Sequence, residues 1–436
     1  MSKLPALRSE SAFADRKPAY SPAQARVEAN RCLYCHDAPC IQACPTSIDI
    51  PTFIRKIGTD NQRGSARTIL DSNILGYSCA RVCPVEVLCV GACVYNQMGV
   101  PPIQIGKLQR YATEHAVTQG WTFYEAGPDS GKSVGLIGGG PASLAAAHRL
   151  RRFGHAVTIY EARDMVGGLN ATGVAPYKMP ADDAMAEAER VLSIGGIELR
   201  SGVRVPQDLS WAELERRHDA LFIGIGLGPD SALLTGERPA GVHGAVAWIE
   251  QMKLGTVDVS GVRNAVVVGG GNTAVDAVRE LLGLGVENVK LVYRGVQAGM
   301  SGYAHEWDGA KKEGARAVWQ TVPTGWQVNA AGGITGLRCL HLDADKQPIA
   351  GTEHEIAADL VLLAIGQGKL GALVADLDGV VVSRGRIQTG PGGATGRPGV
   401  YAGGDCVNGG KEVVNAVAEG RDAALAMHTT LTGGAA

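Results

Sequence analysis

Aromatic residues make up only 5% of this 436-residue sequence, and charge of one sign is nowhere massed: 41 lysines and arginines and 43 acids leave a net charge of −2. A nucleic-acid face would need basic residues clustered in one region, so no nucleic-acid partner is expected. Uncharged apolar runs fall short of the roughly 18 residues that a membrane helix needs, and the first twenty residues hold no apolar signal core. Neither a membrane span nor a secretory leader is expected, and the protein should work in the cytoplasm. The ten histidines form no HxxxH-type group, which leaves a mononuclear metal site without support. A chain this long exceeds one ordinary core and suggests two or three domains.

Glycine is abundant, with 60 residues, as in chains rich in tight strand-to-helix turns and close approaches to ligands. Of ten cysteines, eight lie between Cys32 and Cys93, and only Cys339 and Cys406 lie elsewhere. Residues 1 to about 125 read as helices and loops: Ser21 opens one helix and apolar residues recur at helical spacing from Ile50 to Leu70. Glycine, proline and small polar residues then mark a linker over 125–131, after which strands, glycine turns and helices alternate.

Two segments share one plan. Lys132 to Ser143 is a short apolar strand, a Gly138-Gly-Gly140 turn and an Ala/Leu-rich helix, and a second strand follows that ends in Glu161. Asn264 to Ala274 repeats it with Gly269-Gly270-Gly271, and its second strand ends at Tyr293-Arg294. Two such βαβ units predict two parallel-sheet dinucleotide domains, with pyrophosphates resting on helix N-termini and Glu161 accepting from an adenosine ribose. A lone glycine turn is weak support for this, because Ser143 and Ala274 replace the third glycine; the acid after the first copy strengthens it.

Near the C-terminus, Gly399 to Asp405 is an apolar strand ending in glycine and aspartate, with a helix predicted over 412–427. This pattern resembles the segment of two-dinucleotide-domain disulfide-reductase-like flavoproteins that returns to complete the FAD domain, which implies that Asp405 faces the flavin's ribityl chain. Phe222 to Gly226 and Leu362 to Gly366 resemble that family's two crossing strands. The redox CxxC of those reductases is missing from both dinucleotide segments, so electrons need another exit.

Cys32-x2-Cys35-x4-Cys40-x3-Cys44-Pro45 and Cys79-x3-Cys83-x5-Cys89-x3-Cys93 offer eight thiols, the number for two four-cysteine clusters. By that arithmetic one cluster takes Cys32, Cys35, Cys40 and Cys93, and the other Cys44, Cys79, Cys83 and Cys89. Structural zinc is the rival reading, although zinc sites usually come as two separated CxxC knuckles. Cys32-Leu-Tyr-Cys35-His36 also matches a haem-attachment pattern, but that would leave Cys40 and Cys44 without a role. Cys339 and Cys406 read as packed thiols, and His305-Glu306 as a solvated helix face.

From about residue 25 to 428 the sequence resembles the electron-input subunits of glutamate synthase and, more closely, of bacterial dihydropyrimidine dehydrogenase. The stretches Arg31 to Pro45 and Val82 to Cys93 carry the closer resemblance, since glutamate synthase subunits usually have Gly-x-Pro-x-Cys around the third cysteine. The resemblance implies a helical domain (1–125) with two 4Fe-4S clusters and an FAD domain in two pieces (131–260 and 367–436). An NAD(P) domain (261–366) is inserted between those pieces. It places FAD against Gly138, Gly140, Pro141, Ala142, Ser143, Glu161, Gly168, Leu169, Lys178, Val205, Gly404, Asp405, Glu412 and Val413. NAD(H) is placed against Gly270, Gly271, Asn272, Thr273, Arg294, Ala364, Ile365 and Gly366. It also alters the ligand count: Cys79 is not a ligand, and Gln109 joins Cys44, Cys83 and Cys89 on the second cluster. It further implies a hetero-oligomer with a catalytic subunit that carries FMN and more clusters and reduces uracil or thymine. A glutamate synthase small subunit and a zinc-stabilised nucleotide-binding scaffold are the alternative functions. Arg294 is the only base in its turn, with Gly295 and Ser301 where NADPH-using relatives carry further bases, so NADH is the expected donor.

Overall fold

The computed structural model describes residues 4–434. Its first folded unit is helical. Ser21 caps α1 (Pro22–Ala29) through a capping box with Gln24, and α2 (Pro39–Gln42) is a single turn between Cys35 and Cys44. α3 (Ile50–Gly58) buries Ile50, Phe53, Ile54 and Ile57, the stripe that its spacing predicts. Asn61 breaks the run and caps α4 (Gln62–Ser72) by accepting from Gly64 N–H. α5 (Gly76–Val82) and α6 (Ile105–Thr118) complete the unit. No strand occurs among the described residues of this segment.

The first dinucleotide unit follows, with β1 (Ser133–Ile137), α7 (Pro141–Arg152), β2 (Ala156–Glu161), α8 (Leu169–Thr172), α9 (Ala181–Leu192), β3 (Ile197–Ser201), α10 (Trp211–Arg217) and β4 (Ala220–Ile223). The chain then leaves for the second unit: β5 (Val242–Gly244), α11 (Ala245–Leu254), β6 (Asn264–Val268), α12 (Asn272–Gly283), β7 (Asn288–Val292), α13 (Ala304–Lys312) and β8 (Arg316–Val318). An antiparallel excursion of β9 (Thr321–Val328), β10 (Ile334–His341) and β11 (His354–Ala357) precedes β12 (Leu360–Leu363). After a small hairpin, β13 (Val382–Ser383) and β14 (Arg386–Ile387), the chain returns through β15 (Val400–Ala402), α14 (Asp405–Asn408) and α15 (Val413–Leu431).

The first parallel sheet runs β15-β4-β1-β2-β3 and the second β5-β12-β6-β7-β8. Because β15 pairs with β4 across the whole second unit, that unit is inserted in the first, as expected. The central strands of each sheet, β1 and β4 in the first and β6 and β12 in the second, are buried on both faces, which is why they read as continuous apolar runs such as Val266-Val267-Val268. The two crossing links pair with one another: Gly228 N–H donates to Gly368 O at 2.8 Å, and Gly368 N–H to Pro229 O at 2.7 Å.

The expected boundary at 260/261 falls inside the second unit. β5 pairs with β12, and Ala245, Trp248, Ile249 and Met252 of α11 pack into the second core with Val267 and Val278. A three-residue strand and a helix of ordinary composition give no local sign of which sheet they join.

The helical unit and the first dinucleotide unit share one core, in which Leu70, Ile74 and Leu75 pack with Leu144, Ala188 and Val191. Glu187 of α9, fully buried, accepts N–H bonds from Tyr77 and Ser78 in the first turn of α5, both at 2.9 Å, and the Ser78 hydroxyl as well. A carboxylate at a helix N-terminus satisfies orphan donors and opposes the positive end of the helix dipole. Removing it leaves those donors buried without an acceptor, so Glu187→Ala should destabilise the protein by about 2–4 kcal/mol and Glu187→Gln by less. Urea unfolding together with amide exchange at Tyr77 and Ser78 measures this; unchanged protection of those two amides would remove Glu187 from the joint.

Candidate functional site

Both glycine turns sit at the C-terminal edge of a parallel sheet, where a strand feeds a helix that starts without a side-chain cap. Gly140 precedes α7, Gly271 precedes α12, and neither helix start has a side-chain acceptor on its first N–H groups. Those donors suit phosphate oxygens. Gly138 has φ +91°, and a β-carbon there would collide with the Gly224 carbonyl, so the turn requires glycine. Nothing lies within 4 Å of where a Gly140 β-carbon would point, which leaves that side of the turn open to a ligand. Pro141, Ala142 and Ser143 form the first turn of α7, with Ser143 buried where a third glycine is usual.

Glu161 lies beside this turn: its carboxylate accepts Gly139 N–H at 2.6 Å and Arg163 N–H at 2.8 Å. Gly168, before Leu169 at the start of α8, backs onto Gly140, a Gly168 β-carbon lying 3.0 Å from Gly140 Cα. Gly404 comes in from the far end of the chain against Ala142. Glu419 of α15 holds it there, accepting Gly404 N–H at 2.6 Å and the Asn408 side-chain amide at 3.0 Å. Asp405 follows, and Glu412 and Val413 begin α15. Val205 lies lower, in the core with Ile137 and Tyr160.

In the second unit Gly270, Gly271, Asn272 and Thr273 form the turn, and the Ala364 carbonyl abuts Gly269 before Ile365 and Gly366 enter the crossing link. Arg294 is exposed at the end of β7. Ser301 to Tyr303 return to the same turn: Gly302 N–H donates to Gly270 O at 2.9 Å and Tyr303 N–H to Asn272 Oδ1 at 2.9 Å.

Lys178, expected against FAD, bridges to the second unit, 2.9 Å from Asp276 Oδ1 and 2.8 Å from Glu306 Oε2. This corrects the reading of His305-Glu306 as a solvated face: the Glu306 side chain is 13% exposed and paired with Lys178, while His305 lies 3.4 Å from Glu86 of the helical unit. Tyr303 OH donates to Glu412 at 2.6 Å, a second tie between the units. Glu419, Asp276 and Glu187 carry no sequence signal, because each acts through partners 11 or more residues away and stands in no motif.

The eight clustered cysteines line two cavities. One is lined by Cys32, Cys35, Cys40 and Cys93, with Leu33, Pro39 and Ile54 in the wall. The other is lined by Cys44, Cys79, Cys83, Cys89 and Gln109, with Asn73 and Val414 of α15. Burial pushes the Cys40 and Cys89 thiols up to about 12. Among the described residues no three His, Cys, Asp or Glu side chains converge closely enough to hold one metal ion. Four thiols line each cavity, the donor set that a 4Fe-4S cluster takes. Gln109 Nε2 donates to Gly76 O at 2.7 Å, which turns its amide oxygen, the atom able to ligate, away from that carbonyl. Cys79 lies on α5 and Cys83 is the C-cap of that helix, its N–H donating to Cys79 O at 3.0 Å. Cys339 and Cys406 are buried, and burial raises their thiols to about 11 and about 12.

Residues 8–121 match the family model "Dihydropyrimidine dehydrogenase domain II, 4Fe-4S cluster", and residues 132–420 match "Pyridine nucleotide-disulphide oxidoreductase". The chain is therefore a pyridine-nucleotide oxidoreductase joined to a 4Fe-4S domain. The NAD-dependent dihydropyrimidine dehydrogenase subunit PreT of Escherichia coli K12 is 34% identical over 95% of this chain and 96% of its own. The small chain of NADPH glutamate synthase from the same organism is 31% identical over 93% and 91%. The chain belongs to the family that these subunits form. Its fold is also that of thioredoxin reductase from T. acidophilum, with TM-score 0.55 and 21% identity over 69% of this chain and 99% of that one. The same holds for FprA from Mycobacterium tuberculosis, with TM-score 0.57 and 18% identity over 70% and 85%.

Asp405 carries a measurable consequence of its position. Burial first, then the Glu419 and Glu412 carboxylates, push its carboxyl from 3.8 up to about 6. A raised carboxyl costs stability as pH rises through the folded value and nothing below the unfolded one. In flavin-free protein, Asp405→Asn should gain about 2–3 kcal/mol over wild type at pH 7 and match it at pH 4. Denaturant unfolding at both pH values checks this, and equal stability at pH 7 would contradict it.

Proposed function

We propose that this chain is the electron-input subunit of a dihydropyrimidine dehydrogenase, taking electrons from NADH through one FAD to two 4Fe-4S clusters. The observation that carries this reading is the shared role of α15. Its first turn, Glu412-Val413, adjoins Asp405 in the segment expected at the flavin, and its next residue, Val414, walls the second cysteine cavity. When bound, FAD would accept a hydride and hand its electrons singly to iron–sulfur clusters. The chain's own task is positioning. The α7 start with Gly138, Gly140 and Glu161 binds the flavin's adenosine end, and Asp405, Glu412 and Val413 lie toward its redox end. The α12 start orients the nicotinamide dinucleotide. Cys32, Cys35, Cys40 and Cys93 hold the first cluster; Cys44, Cys83, Cys89 and Gln109 hold the second.

The partner in this proposal is a catalytic subunit with FMN and further clusters that reduces uracil or thymine to the 5,6-dihydropyrimidine, in a cytoplasmic hetero-oligomer. The names of the PreT relatives support it, as does His36-Asp-Ala-Pro-Cys40 in place of the glutamate synthase pattern around the third cysteine. Purification with its native partner decides it. NADH-dependent loss of uracil is the expected result, and glutamine-dependent formation of glutamate would assign the chain to glutamate synthase.

Ligation is tested by iron content. Anaerobic protein should hold about eight irons, Cys79→Ser should keep them, and Gln109→Ala should disturb one cluster. Loss of about four irons from Cys79→Ser would make Cys79 a ligand.

Coenzyme choice rests on the turn after β7, where Arg294 is the only base among Arg294 to Ser301. A 2′-phosphate would miss charge-assisted bonds worth roughly 1.5–3 kcal/mol each, so kcat/KM with a dye acceptor should favour NADH. A β-carbon at Gly295 would lie 2.9 Å from the Tyr293 ring, so Ser301→Arg is the cleaner single change toward NADPH. A wild-type preference for NADPH would overturn the assignment.

A further inference from the structure

The second cavity contains a donor that nothing in the protein satisfies. Asn73 is fully buried between α4 and α5, and its side chain lines the wall with Cys44, Cys83 and Cys89. Its Oδ1 accepts Leu75 N–H at 3.0 Å. That bond fixes the amide orientation, because a backbone N–H needs the oxygen and not the nitrogen. The Nδ2 group has no hydrogen-bond partner among the described residues. A buried donor left unmade is expensive and uncommon in folded proteins, so an acceptor belongs at that place. Apart from thiols, Gln109 and Asn73 itself, the lining is apolar, and the Gln109 amide donates through Nε2 to Gly76 O while its oxygen is the atom assigned above to the cluster.

We propose that Asn73 Nδ2 donates a hydrogen bond to a sulfur of the cluster in this cavity and raises its reduction potential. The inference rests on the cluster assignment made above and adds a positioning residue that no ligand motif contains. Reduction puts one electron, delivered from the flavin side, onto the iron–sulfur core and makes its sulfurs more negative. No bond at Asn73 breaks and both amide protons stay on Nδ2. A donor held in place therefore favours the reduced form over the oxidised one. Thr46 makes a parallel contact behind Cys44: its buried hydroxyl lies 3.3 Å from Cys44 Sγ, and a thiolate there could only accept. The Thr46 carbonyl is held in turn by Arg421 of α15 at 2.8 Å.

The test uses the full-length holoprotein and redox titration followed by electron paramagnetic resonance. Asn73→Leu removes the donor, and Asn73→Asp removes it while keeping an oxygen for Leu75 N–H. In both, with iron content and flavin content unchanged, the reduced-to-oxidised ratio of one cluster at fixed potential should fall about three- to tenfold; tenfold corresponds to 59 mV for a one-electron couple. The other cluster should not move. Wild-type protein labelled with 15N only at asparagine supplies an independent measurement, since Asn73 is the only asparagine in the cavity wall. A 15N coupling to the reduced cluster is expected and should vanish in Asn73→Asp. Ratios within twofold of wild type in both iron-replete variants, or no 15N coupling in wild type, would overturn the inference. Wild-type protein without iron would instead overturn the cluster assignment beneath it.

Discussion

Glu187 spends its carboxylate on the first turn of α5, and through that contact a helix of the first dinucleotide unit fixes the helix that carries Cys79 and is capped by Cys83. Other bonds converge on the same turn. Asn73 accepts Leu75 N–H, Gln109 donates to Gly76 O, Asn170 donates to the Ser78 hydroxyl, and Arg190 donates to Ile74 O. All are buried or partly buried, where a lost partner costs more than a formed bond contributes, so the joint has one arrangement. An electron-transfer chain needs that. Rates between redox centres fall steeply with distance, and a hinge between the flavin fold and the second cavity would make the step irregular.

The opposite side of that cavity is closed by α15, and here packing rather than polarity sets the distance. Gly420 lets α15 press against α7, since a β-carbon there would collide with the Ala142 carbonyl. Within two turns of it, Val414 faces the cavity, Glu419 holds the Gly404 turn, and Arg421 ties the Thr46 and Ser72 carbonyls. One helix thus refers both ends of the proposed electron path to a single rigid body.

Features encoded locally were legible in the sequence. Glycine turns, the Glu161 and Asp405 strand ends and the cysteine spacings announce themselves because the chemistry needs neighbouring residues in fixed order. The insertion of one dinucleotide unit in the other was legible through the returning Gly399 to Asp405 segment. The 260/261 boundary was misplaced because β5 is three residues long and its allegiance is decided by a pairing with β12, over a hundred residues later. The β9-β10-β11 excursion, Glu306 and the α5 joint were illegible for the same reason. Grouping Cys93 with Cys32, Cys35 and Cys40 could be proposed from count alone, but the choice between Cys79 and Gln109 could not, since both line one wall and only the environment of each distinguishes them.

The interface between the dinucleotide units is tied by buried polar contacts. Lys178 lies between Asp276 and Glu306, Tyr177 bonds Asp276, and Tyr303 bonds Glu412. A buried ionic set is weak evidence for stability, but it penalises any rotation that would strip Lys178 of its acids. The N-terminal strap adds to this restraint. Ser9 N–H donates to Gly255 O, Phe13 packs on Gly283, and Arg16 N–H donates to Tyr177 O, so one segment touches both units before the helical domain begins. Here Cys339 and Cys406, the two cysteines of the dinucleotide units, are buried, and on the proposed electron path the outlet lies at the cysteine-lined cavities beside α5 and α15, so restraint between the units serves transfer.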